Sequence, residues 1–93
     1  MGITFLSNLS KDIEGYVKDK TYLKKVYLLR EDDRISIYFF TKEIERIPSN
    51  TFGLEKRLKS RYKPFIFDVK VAPYEKGSVE KYAGSYDLIP VIS

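Results

Sequence analysis

Three aromatic residues, Tyr27, Tyr38 and Phe40, recur among β-prone residues together with Lys25 and Lys70. Theirs is the grouping in this 93-residue chain whose side-chain types point to work. Aromatic rings on an open sheet face either bury against a protein partner or stack on nucleic-acid bases while lysines meet phosphates. Catalytic candidates are sparser. Histidine and cysteine are both absent, which removes the usual general base, the soft-metal ligands and the commonest covalent nucleophile system. Ser78-Val-Glu-Lys81 matches the Ser-x-x-Lys of serine acyl-transfer enzymes, but the companion motifs of that chemistry have no place in so short a chain. Asp32, Asp33 and Asp68 are the carboxylates that a hard cation for phosphoryl chemistry would need. Two of them fall at a turn and the third inside a strand, so convergence is not expected. Neither the dinucleotide nor the P-loop glycine fingerprint occurs, and no Gly-x-x-Gly loop is present. The expectation is a protein without catalytic residues, cofactor or metal.

Composition narrows the class. Tryptophan and glutamine are also missing, and asparagine occurs only as Asn8 and Asn50, beside abundant Lys, Glu and Ile. That bias is expected of a protein from a hot-adapted, thermophilic source. Seventeen Lys plus Arg against thirteen Asp plus Glu give a net charge of +4, which favours anionic partners without demanding them. Ninety-three residues make one domain over 1–93, able to bury roughly 60–70% of its unfolded surface without disulfides or metal. No apolar run approaches the roughly 18 residues needed to cross a bilayer, and Met1 to Leu6 lacks the pattern of a signal peptide. A cytoplasmic protein with no membrane partner is expected, in which the sequon Asn8-Leu9-Ser10 has no use.

These side chains must be positioned by five or six elements. Phe5, Leu6, Leu9, Ile13, Tyr16 and Val17 fill one helical arc of about 120°, which predicts an amphipathic helix from Thr4 to Asp19 capped by Thr4 or Ser7. Two β-prone runs then flank Asp32-Asp33. A two-residue turn there pairs Glu31 with Arg34, Leu29 with Ser36, Leu28 with Ile37, Tyr27 with Tyr38 and Val26 with Phe39. This register sends Val26, Leu28, Ile35, Ile37 and Phe39 to one face, and Tyr27, Leu29, Ser36, Tyr38 and Phe40 to the other. A slip by one residue would destroy the sorting; a longer loop is the alternative. Pro48-Ser-Asn-Thr introduces a second helix with Thr51, Leu54, Leu58 and Tyr62 on one side and Ser49 or Asn50 as its cap, with Phe52 ahead of the first turn. Pro64 closes it, and Phe65, Phe67, Val69 and Val71 alternate with Ile66, Asp68 and Lys70 along a third strand ending at Pro73. Ser78 to Gly84 suits a short helical turn. Tyr86 to Ile92 reads as a last strand, which Pro90 confines to an edge or reduces to a tail.

The order α-β-β-α-β, with an optional final β, predicts a two-layer α+β sandwich: a mainly antiparallel sheet of three to four strands with two helices on one face. A strand at Gly2 to Leu6 would give a ferredoxin-like βαββαβ instead. The order is similar to that of minimal nucleotidyltransferase domains, with Val26 to Leu29, Arg34 to Phe40 and Asp68 on the matching strands. The Gly-Ser loop and the paired Asp-x-Asp of that family are absent.

The sheet face opposite the helices carries Tyr27, Leu29, Tyr38, Phe40 and Ile66, with Lys25, Asp68 and Lys70 interspersed, and is too apolar to face water alone. Residues 74–93 cover it as a tail or lie at an edge, a second copy or protein partner docks on it, or it binds RNA or single-stranded DNA. A further cationic surface lies on the second helix, where Lys56, Lys59 and Lys63 point outward and Arg57 and Arg61 flank the core stripe. A solvated face that offsets the helix dipole is its ordinary reading. The function expected is a non-catalytic binding module, acting by self-association or by docking to a protein through the aromatic face. Nucleic-acid binding through that face or the basic helix is the alternative.

Overall fold

The computed structural model describes residues 2–48, 51–83 and 89–92. The chain is a small α+β fold in the order helix, hairpin, helix, strand, with a short third helix and a final strand. Helix α1 covers Gly2–Val17, strand β1 Leu23–Glu31 and strand β2 Arg34–Thr41. Two 3₁₀ turns, Ile44–Arg46 and Thr51–Gly53, lead to helix α2, Leu54–Arg61. Strand β3 is Ile66–Pro73, helix α3 Ser78–Ala83 and strand β4 Ile89–Ile92. The sheet runs β3-β2-β1-β4.

Helix α1 includes Gly2 to Leu6, so the ferredoxin-like alternative does not hold. The apolar stripe that begins at Phe5 has helical period and already commits those residues to the first turns. Thr4 and Ser7 consequently lie inside the helix rather than at its N-cap. Gly53, at φ +70, is the residue that opens α2, a backbone state in which glycine carries no Cβ penalty. Phe52 lies in the 3₁₀ turn ahead of α2, while the expected caps Ser49 and Asn50 fall outside the described residues. Helix α2 stops three residues before Pro64, whose ring cannot continue it.

The hairpin register is that of a two-residue turn at Asp32-Asp33, running from Glu31 opposite Arg34 to Val26 opposite Phe39. A bulge between Leu23 and Lys25 absorbs one residue at the far end. Strand β3 joins β2 in parallel, with Arg34 beside Ile66 and Thr41 beside Pro73, so the sheet is mixed. The chain leaves the end of β2, crosses under the sheet as α2 and re-enters alongside, the connection that parallel neighbours require. Strand β4 pairs antiparallel with the outer edge of β1, bringing Pro90 opposite Tyr27.

One core forms between helices and sheet. Leu9, Ile13 and Val17 of α1 and Leu54 and Leu58 of α2 pack on Val26, Leu28, Ile35, Ile37, Phe39 and Phe67. At its hairpin end Phe5 stacks on Phe65, centroids 4.4 Å apart, and meets Tyr62 edge-on at 5.5 Å, with the Arg30 guanidinium over both phenylalanine rings.

Candidate functional site

The residues expected to form a binding face do share the side of the sheet opposite α1 and α2. Leu29, Tyr38, Phe40 and Ala72 form a second buried cluster with Tyr27, Tyr74 and Val79 packed against it. The rings are ordered as in a core: Tyr38 and Phe40 stack with centroids 6.3 Å apart, and Tyr27 meets Phe40 edge-on at 6.0 Å. Phe40 is fully buried, and Tyr38 and Leu29 are only 7% and 6% exposed. Of the five residues assigned to the face, a partner meets only the half-buried Tyr27 and Ile66, which is 39% exposed at the hairpin end. Tyr74, just after β3, and Val79 of α3 pack against the cluster that holds Phe40, so part of segment 74–93 packs there. Residues 89–92 go instead to the β1 edge, and residues 84–88 lie outside the described residues.

On this side of the sheet a groove of about 500 Å³ lies open beside the residues that lead into α3. Its cations are Lys25, Lys42 and Lys76, its rings Tyr27 and Tyr74, and Glu75 and Glu80 lie at its rim. Each wall has a local cause. The Tyr74 N–H donates to the Thr41 carbonyl at 2.9 Å, which extends the β2–β3 ladder by one residue and fixes the tyrosine beside Lys42. Gly77, at φ +80, turns the chain into α3. The Ser78 hydroxyl, buried at that turn, accepts the Glu75 N–H at 3.2 Å. That bond gives Ser78 a structural task, and the Ser-x-x-Lys spacing is the spacing of one turn of α3.

Lys42, Tyr74 and Lys76 have no signal in the sequence that would single them out. The alternation of the third strand carries no instruction that its C-terminal end returns to the end of β2; the parallel register with Thr41 beside Pro73 is what does so. Among the expected phosphate-contacting residues, Lys70 lies with its ammonium 5.4 Å from the centre of the Tyr38 ring, at the margin of the face. Lys56, Lys59 and Lys63 are exposed on the opposite layer. Arg57 lies over the Tyr16 ring at 5.0 Å, and Arg61 Nε is 3.4 Å from an Asp12 carboxylate oxygen, so both hold α2 against α1.

Asp68 is engaged by Arg34, Nη1 to Oδ2 2.7 Å. Asp32 and Asp33 are exposed at the hairpin tip. Among the described residues no three acidic side chains converge as a metal ion requires, and no helix is long and apolar enough to cross a membrane. The perturbed ionisable group among them is Tyr62, pushed up to about 12 by burial and by the Asp12 carboxylate to which it donates a hydrogen bond. It belongs to the α1–α2 contact, away from the groove. No family model, no curated protein and no solved structure matches this chain.

Proposed function

We propose that the protein is a non-catalytic binding module whose ligand site is the groove formed by Lys25, Tyr27, Lys42, Tyr74 and Lys76, and that it takes single-stranded RNA or DNA there. The observation that carries this reading is the juxtaposition of two tyrosine rings with three lysines in one open groove. Rings of this kind accept bases by stacking without regard to sequence, and ammonium groups on the same rim meet the phosphates between them. Docking of a protein across the whole aromatic face would first require Leu29, Tyr38 and Phe40 to be uncovered, and those side chains are core.

Titration of a fluorescently labelled oligonucleotide tests the proposal. Binding should weaken with salt, and each lysine removed from a phosphate should make the slope of log K against log salt shallower by about 0.7. Tyr27→Ala and Tyr74→Ala should each cost roughly 1–3 kcal/mol. Lys42→Glu with Lys76→Glu should abolish binding, whereas Lys59→Glu on α2 should leave it unchanged. Flat curves at low salt, or sensitivity to Lys59 and not to Lys42 and Lys76, would sink the groove as the site.

A further inference from the structure

The two edges of the sheet are unequal. Strand β4 closes the β1 side with four residues that include a proline, a short and interrupted edge of the kind that discourages pairing. The other edge is β3, eight residues long, paired with β2 from Ile66 to Pro73 without a bulge. The Ile66 N–H donates to the Asp33 carbonyl at 2.8 Å and the Tyr74 N–H to the Thr41 carbonyl at 2.9 Å. Backbone groups alternate sides along a strand, so the even-numbered residues face β2 and Phe67, Val69 and Val71 turn their N–H and C=O groups outward. These strong hydrogen-bonding groups line a regular edge that is guarded by Pro73 at one end.

We propose that this edge is covered by a second copy of the chain, pairing antiparallel through β3 about a two-fold axis at Val69. The choice of occupant and of register rests on charge. With the axis at Val69, Asp68 lies opposite the partner's Lys70 and Lys70 opposite the partner's Asp68. These are non-hydrogen-bonded positions, where facing side chains come closest. An axis one residue earlier sets Asp68 against itself, and one residue later sets Lys70 against itself. Axes at Phe67 or Val71 leave both charges facing apolar residues. The Val69 register alone makes the strand self-complementary, as an isologous interface must be. It also uses all three outward-facing residues and places Ile66, 39% exposed in the single chain, beside the partner's Ala72. Asp68 keeps Arg34 on its own chain and gains a second cation from the partner; Lys70 is exposed and within reach. The result is one continuous eight-stranded sheet, twice the four strands of the single chain, with the two grooves outside the interface.

Sedimentation equilibrium of the wild-type chain at micromolar concentration should give twice the 10.9 kDa monomer mass. Val69→Pro removes one outward N–H and leaves the β2 ladder intact, so it should yield a monomer with an unchanged circular dichroism spectrum. Lys70→Asp and Asp68→Lys should each be monomeric alone, because like charges then face one another. Mixed in equal amounts they should form a heterodimer, an outcome that a misfolded variant does not produce. A wild type that stays monomeric, a Val69→Pro dimer, or charge variants that fail to associate on mixing would overturn the proposal. None of these results depends on whether the groove binds nucleic acid.

Discussion

Tyr62 shows how one side chain joins two elements. Its ring packs against Phe5 and Phe67 and its hydroxyl donates to the Asp12 carboxylate, tying the end of α2 to the middle of α1. Burial and the neighbouring carboxylate both disfavour the phenolate, and the folded-state value rises from 10.0 to about 12. The phenol is thus easier to ionise in the unfolded chain, so the stability it contributes is complete below about pH 10 and is lost as pH climbs toward about 12. Tyr62→Phe should cost about 1 kcal/mol at neutral pH in urea unfolding. The gap between wild type and variant should close across that alkaline window; a gap independent of pH would show that the hydroxyl is not held by Asp12.

At the scale of elements, the hairpin owes its register to a turn that is not ideally built. Asp32 adopts φ +57, a left-handed state that costs a residue with a Cβ more than it costs glycine. The Arg30 Nε–H donates to the Asp32 carbonyl at 3.1 Å and helps hold the tip. Asp32→Gly should raise stability by about 0.5–1 kcal/mol, read as a higher urea midpoint with an unchanged slope. A loss of stability would mean that the Asp32 side chain contributes more than its backbone strain costs. Sorting of the hairpin into a wholly apolar side and a side carrying Tyr27, Tyr38 and Phe40 was legible from alternation alone, because a two-residue turn permits a single register. The direction of β3 was not legible. Ile66 to Pro73 alternates equally well in either orientation, and only the packing of α2 beneath the sheet brings the strand in parallel to β2.

Across the whole molecule both faces of the sheet carry buried side chains, and β2 lies within it with every residue from Ile35 to Thr41 buried. Its amides are bonded to β1 on one side and β3 on the other, so hydrogen exchange should be slowest in β2 and fastest in α3 and β4, which are short. Exchange in β3 should be intermediate in dilute solution. Its outward amides, those of Phe67, Val69 and Val71, should slow selectively as concentration rises into the range where the chain associates. Uniform slowing across the molecule would indicate a different interface.

From residue types and spacing alone came the α-β-β-α-β order, the turn and the partition of the hairpin's side chains, all properties carried by local period and composition. The availability of the aromatic side was beyond that reach. Whether Tyr38 and Phe40 meet water or protein depends on where a distant segment packs, and Tyr74 and Val79 come to rest on them through the return of β3 beside β2. The same return gathers Lys42, Tyr74 and Lys76 around Tyr27 from three separate stretches of chain. Such a groove has no signature in sequence, because its members become neighbours only when a parallel strand closes the loop between them.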